Sequence, residues 1–181
     1  MTTMARNGLV IAGLHVALVG SLGAKLVYDR ATLPRVWVRT APVDPNDPIR
    51  GRYVRLRLEV TLSPGVVLPE RRTETLPDGR TMTYAPPPTQ VELKTREGRL
   101  EASAGKESND LFVDARDRNG QRVVVLLTPV AYFIPEKVPD PSIRAAGEEL
   151  WVEVTLPRRG LPRPIRLGVK KDGVLTPIDL R

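Results

Sequence analysis

Arg52-Tyr-Val-Arg-Leu-Arg-Leu-Glu-Val-Thr-Leu62 alternates without a break from Tyr53 onward. Val54, Leu56, Leu58, Val60 and Leu62 fall on one side of an extended chain, and Tyr53, Arg55, Arg57, Glu59 and Thr61 on the other. One face is core and the other wet, as an antiparallel sheet demands. Upstream, Arg35-Val-Trp-Val-Arg39 repeats the pattern as a first strand. Between them, the prolines of Pro42–Pro48 forbid helix.

Downstream the same signals recur at short intervals. Thr73–Leu76 and Thr81–Tyr84 flank an Asp78-Gly79 hairpin turn. Pro86-Pro87-Pro88 is stiff and extended, suited to a spacer or an edge. Strands are expected at Gln90–Thr95, Arg99–Ser103, Leu111–Ala115 and Gln121–Leu127, the last two joined by Asp117-Arg-Asn-Gly120. Ala131–Ile134, Leu150–Leu156 and Ile165–Val169 follow, and Lys171-Asp-Gly173 turns into Val174–Ile178. A brief helix is expected from an Asp140-Pro-Ser142 cap through Ala146. Turns at this frequency predict an all-β fold, an antiparallel sandwich or small barrel. With only two Phe, two Trp and four Tyr, its core must rest on Val and Leu.

A different grammar rules the N-terminus. Gly8–Ala24 carries no formal charge, and Lys25 can snorkel while Tyr28 sits at an interface. That length is adequate for a membrane-spanning helix. The alternatives are a cleaved signal peptide, with Arg6 before it and Ser21, Gly23 and Ala24 near a cut, or a buried soluble helix. The retained anchor is preferred. Residues 1–30 then form the anchor with a short cytoplasmic tail, and residues 31–181 an extracytoplasmic β-domain. Counted literally, Lys25, Arg30, Arg35 and Arg39 would hold the large domain in the cytoplasm, whereas the very short leading tail argues the reverse.

The formal charge of +7 divides unevenly. Residues 1–40 hold five basic groups against Asp29 alone, and the remainder 23 against 20. Most of the excess thus lies beside the apolar segment, where it can meet lipid phosphates. The rest carries no basic stripe interleaved with aromatics, so no nucleic-acid partner is expected. Cysteine is absent, which excludes disulfides, thiolate nucleophiles and Cys-ligated metals.

Catalytic patterns are missing as well. The single histidine, His15, lies within the apolar segment, which excludes a Ser-His-acid triad from the folded domain. No phosphate-binding glycine loop occurs. Asp44 and Asp47, set between prolines, read as Asx turns rather than calcium ligands. A Ser/Lys hydrolase would draw on Ser63, Ser103, Ser108 or Ser142 with Lys94, Lys106 or Lys137, none of them plainly placed for it. We expect no enzyme, no cofactor and no metal. Tyr53, Arg55 and Arg57 together form a candidate contact surface, since Tyr and Arg are favoured at interface centres; the alternative is a solvated strand face.

Residues 42–58 resemble the GDYXXLXY family of bacterial membrane-anchored envelope proteins. Gly51, Tyr53 and Leu56 match its motif, while Arg52 stands where the family has aspartate and Leu58 where it has a final tyrosine. Tyr132-Phe-Ile-Pro-Glu136 is similar to a Tyr-Phe-Val-Pro-Glu stretch of the family, adding Tyr132, Phe133, Pro135 and Glu136 to the motif residues. The resemblance implies a single-pass signal-anchor in the bacterial inner membrane, a periplasmic C-terminal domain, and a multi-spanning membrane protein as partner. It implies no catalytic residue. A cation or basic group bound by the family carboxylate would be repelled by Arg52. The expected role is an accessory protein docking on another membrane or envelope component, through Tyr53, Arg55 and Arg57 or through Tyr132 and Glu136. For the latter turn an internal clamp is also open, in which Tyr132 or Phe133 fills the core and Glu136 ties a loop. Two other readings stay open: a membrane-tethered hydrolase, and an envelope carbohydrate or lipid binder with an apolar pocket.

Overall fold

The computed structural model describes residues 3–41, 53–70, 72–105, 111–118 and 120–180, with side chains from residue 7 onward. The Pro42–Pro48 turns with Asp44 and Asp47, the motif residues Gly51 and Arg52, and Lys106, Ser108 and Asn119 lie outside the described residues, as does the side chain of Arg6. The chain divides into two units, Met1–Pro34 and Arg35–Arg181.

The first unit is one helix, α1 (Thr3–Thr32). Its 30 residues correspond to about 45 Å at 1.5 Å per residue. Leu9, Val10, Ile11, Leu14, Val16, Leu18, Val19, Leu22, Leu26 and Val27 are all exposed, so the helix is apolar all round. Three of its polar side chains turn back on its own carbonyls. His15 Nδ1 lies 2.8 Å from Ile11 O, and the Ser21 and Thr32 hydroxyls donate to Leu18 O and Tyr28 O at 2.8 Å. Internal satisfaction of this kind is what a hydrocarbon surrounding requires. The stretch Asn7–Thr32 is long and apolar enough to cross a membrane.

The second unit is all-β. β1 (Arg35–Ala41) and β2 (Tyr53–Leu62) are followed by the hairpin β3 (Arg72–Thr75) and β4 (Thr81–Tyr84), then β5 (Thr89–Arg96) and β6 (Arg99–Ala104). β7 (Phe112–Arg118), β8 (Gln121–Leu126), β9 (Val130–Phe133), β10 (Glu149–Thr155), β11 (Arg163–Lys171) and β12 (Val174–Pro177) complete the chain. The outcome of the sandwich-or-barrel expectation is a barrel with an extension. β2, β6, β5, β7 and β8 pair in that order, and β8 returns to β2, closing a five-stranded ring. All its pairs are antiparallel except β2–β6, where Thr61 faces Glu101 and Leu62 faces Ala102 in parallel register.

β2 is long enough to serve two structures. Its C-terminal half belongs to the barrel. Its N-terminal half pairs with β9, and at Leu58 and Arg57 it meets Thr40 and Ala41 of β1. From β1 an antiparallel extension continues through β10, β11 and β12. The alternation of β2 is realised as read: Val54, Leu56, Leu58 and Val60 are buried, and Arg55 and Thr61 exposed. Leu56, Leu58, Leu126, Leu167, Val91, Val113, Val125, Val152 and Val154 are sealed from solvent, an aliphatic core. Each such side chain contributes about 1.5–3 kcal/mol relative to exposure.

Turn chemistry sets the hairpins. Glu97 and Gly98 adopt φ 50° and 71° to join β5 to β6, and Asp172 and Gly173 adopt 49° and 83° to join β11 to β12. Paired positive φ is what tight two-residue hairpins need. The helix expected over Asp140–Ala146 does not form. Asp140 Oδ1 accepts from Ser142 N at 2.8 Å and from the Ser142 hydroxyl at 2.7 Å, making an Asx turn. Gly147 then reverses the chain at φ 81°, leaving too few residues to nucleate a helix.

Candidate functional site

Antiparallel register sets the two motif-bearing strands side by side. Tyr53 lies opposite Phe133, Val54 opposite Tyr132, Arg55 opposite Ala131 and Leu56 opposite Val130. Residues directly opposite share a face. Tyr53, Arg55, Ala131 and Phe133 therefore occupy the wet face, and Val54, Leu56, Val130 and Tyr132 the core face. Burial agrees. Phe133 is 72% exposed, while Tyr132 packs against the core beside buried Val130 and Ile134.

The candidate contact residues consequently separate. Tyr53, Arg55 and Arg57 do share a face; Arg55 is exposed, and Tyr53 and Arg57 are half-buried. Tyr132 belongs to the core. Pro135 and Glu136 are exposed in the turn closed by Val138 N donating to Pro135 O at 3.3 Å. The Glu136 side chain makes no ion pair among the described residues. The clamp is thus half realised: Tyr132 fills core, Phe133 does not, and Glu136 ties nothing there. Phe133, absent from the contact residues chosen from sequence, is the largest exposed apolar group of this strand pair. Its signal was present in the parity of Val130, Tyr132 and Ile134, which leaves Ala131 and Phe133 facing out.

Beyond Arg57 the same face carries a chain of charges. Glu59 accepts from Arg118 Nη1 and lies 3.9 Å from Arg39 Nε, whose Nη2 is 2.7 Å from Glu149 Oε1. Glu149 in turn accepts from Trp151 Nε1 at 3.0 Å, and Lys170 stands 4.8 Å over the Trp151 ring. Arg57 Nε is buried without a hydrogen-bond partner among the described residues. On the next row, Glu153, 6% exposed, accepts from Arg166 Nε at 2.7 Å, and that guanidinium sits 5.3 Å over Trp37. Trp37 in turn lies across Gly168, where a Cβ would come within 2.9 Å of its ring. The alternation Arg35-Val-Trp-Val-Arg39 already placed Trp37 outward, but only the β1–β10–β11 pairing reveals its cation and its glycine.

Elsewhere the described serines have other company than lysine. Ser63 Oγ donates to Glu101, Ser103 Oγ to Glu92 O at 3.2 Å, and Ser142 to Asp140. Lys94 pairs with Glu92 at 3.5 Å and is well exposed, with no serine beside it among these contacts. A groove of about 370 Å³ lies between Pro69, Glu70 and Pro86 on one side and Ala115, Arg116, Asp117 and Arg122 on the other. Four of those seven are charged. Among the described residues no three acidic or imidazole groups gather as a metal site would need.

No curated protein and no solved structure matches this chain. A family model does: that of the GDYXXLXY protein covers residues 15–177 and takes in both motif strands. On that match, with the apolar helix ahead of the β-domain, the chain belongs to the GDYXXLXY family and is a membrane-associated envelope protein.

Proposed function

We propose that this protein is a single-pass accessory subunit of the bacterial inner membrane whose periplasmic β-domain docks on a multi-spanning membrane protein or another envelope component. The contact is the wet face of the β2–β9 pair, with Tyr53, Arg55 and Phe133 at its centre and Arg57 and Glu136 at its margin. The observation that carries this reading is the register itself: Tyr53 of the first motif faces Phe133 of the second. A largely exposed phenylalanine beside a tyrosine and an arginine has the composition of an interface centre. β9 supports it too, since among the described strands it pairs only with β2. In this reading the chain carries no catalytic group.

Two experiments test it. Crosslinking of the full-length chain in its native membrane, followed by mass spectrometry, is expected to return one dominant membrane partner. The Tyr53→Ala, Arg55→Ala double variant is expected to lose it; an unchanged pull-down sinks this surface as the contact. Orientation is tested separately. The chain has no cysteine, so Val174→Cys, at an exposed position, reports its compartment by labelling with a membrane-impermeant maleimide. Labelling in cells with a permeable outer membrane is expected; labelling only after lysis contradicts a periplasmic domain.

A further inference from the structure

Only Leu33 and Pro34 lie between the end of α1 and the start of β1. Whatever the arrangement of the two units, covalent reach holds Arg35 within about 11 Å of Thr32. The sheet then gathers charge at that end of β1. Arg35 lies opposite Thr155, and Thr155 opposite Arg163. β10 and β11 are joined there by Leu156-Pro-Arg-Arg-Gly-Leu-Pro162. Leu156 and Pro162 are buried and pin the loop, Gly160 bends it at φ 87°, and Arg158 and Arg159 stand exposed. Arg35 and Arg163 are exposed as well. The start of β1 and the β10–β11 connection, far apart in sequence, thus place four arginines at one end of the sheet. The C-terminal tail runs back along β11, with Ile178 N donating to Leu167 O at 2.9 Å, and brings Asp179 as the nearby acid. Arg35, Arg163 and Asp179 already hold partners, so the excess charge is carried by Arg158 and Arg159.

We propose that the Arg158-Arg159 loop, with Arg35 and Arg163 behind it, lies against the anionic lipid headgroups of the membrane that α1 enters. The inference rests on the reading of α1 as a retained anchor. An electrostatic contact at the end of β1 that follows α1 adds to the hold of the anchor on the membrane. The orientation has a consequence for docking. Ala41, the last residue of β1, lies opposite Arg57, and Tyr53 lies further on, so the β2–β9 face is at the end of this sheet away from Arg35. Lipid contact at one end presents the docking face at the other.

The test uses the full-length chain reconstituted into phosphatidylcholine vesicles with or without phosphatidylglycerol. A fluorophore on Pro157→Cys is quenched by headgroup-labelled lipid, and the same label on Val174→Cys, at the far end of the sheet, is the control. Co-flotation with vesicles reports the anchor independently. Expected are co-flotation in both lipids, quenching at position 157 about twofold stronger with phosphatidylglycerol, and loss of that excess in raised salt or with Arg158→Gln plus Arg159→Gln. Position 174 is expected to stay unquenched. Equal quenching at 157 in both lipids, or at 157 and 174 alike, overturns the proposal although the anchor stands. Failure to co-float removes the anchor reading, and the proposal with it.

Discussion

Tyr53 and Phe133 face each other across an antiparallel strand pair although eighty residues separate them. Neither carries the core on its own: that task falls to Val54 and Tyr132, one position along on the opposite face. Core packing does not demand this aromatic pair on the wet side of the sheet, which is why it is the centre of the proposed contact.

That division predicts different consequences for neighbouring substitutions. Phe133→Ala is expected to alter unfolding free energy by no more than about 0.5 kcal/mol, as an exposed position does. Leu58→Ala, in the same sheet but fully buried, is expected to cost about 2–5 kcal/mol through lost burial and the cavity left behind. Urea unfolding of the two variants checks both numbers.

At Gly168 the expectation is steric. A Cβ there would come within 2.9 Å of Trp37 Cζ3 and 3.1 Å of Thr176 O. Gly168→Ala is therefore expected to destabilise by about 1–3 kcal/mol, as overpacking does. It should also displace Trp37 from beneath Arg166, read as a change in tryptophan fluorescence. Thr83→Ser, in the separate β3–β4 hairpin, serves as the comparison and should leave the fluorescence unchanged.

Glu59 links two arginines, Arg118 and Arg39, with its own side chain only 15% exposed. Glu59→Gln is expected to destabilise by about 1–3 kcal/mol, because two guanidinium groups lose their shared carboxylate in a partly desolvated site. The Glu59→Gln, Arg118→Met double variant should recover part of that loss. A double-mutant cycle measures it.

Asp78 supplies the pH-dependent prediction. Hydrogen bonds from Arg80, side chain first and backbone second, hold its carboxyl below the usual aspartate value. A lowered folded value stabilises above the unfolded pKa, and that contribution fades as pH falls through the folded one. The hairpin is exposed on both faces, so the effect is local order rather than global stability. An NMR titration should find Asp78 protonating at lower pH than a free aspartate, and Arg80→Gln should return it toward the ordinary value.

What was legible in the sequence was mostly local. Asp78-Gly79 and Lys171-Asp-Gly173 announce their hairpins because a turn is decided by the few residues within it. The strand spans followed from alternation, as at Tyr53–Leu62. The same local logic misled at Asp140: a cap residue before a proline reads as a helix start, yet here the carboxylate spends both hydrogen bonds on Ser142. Closure of the barrel was not legible. The parallel pairing of Thr61 with Glu101, and the return of β8 to β2, depend on partners that no spacing reveals. For the site, alternation placed Tyr53, Arg55 and Arg57 on one face. It could not say that Phe133 would join them, because strand pairing over long separations leaves no local trace.

Docking on one envelope partner is the proposed role of the β2–β9 face. Its most direct test is a photo-crosslinking amino acid at Phe133 of the full-length chain in native membranes, with the same group at Val174 as control. A single dominant adduct is expected from position 133, identified by mass spectrometry as a membrane or envelope protein, and none from 174. Absence of any adduct at 133 from protein recovered in the membrane, or the same adducts from both positions, would contradict it.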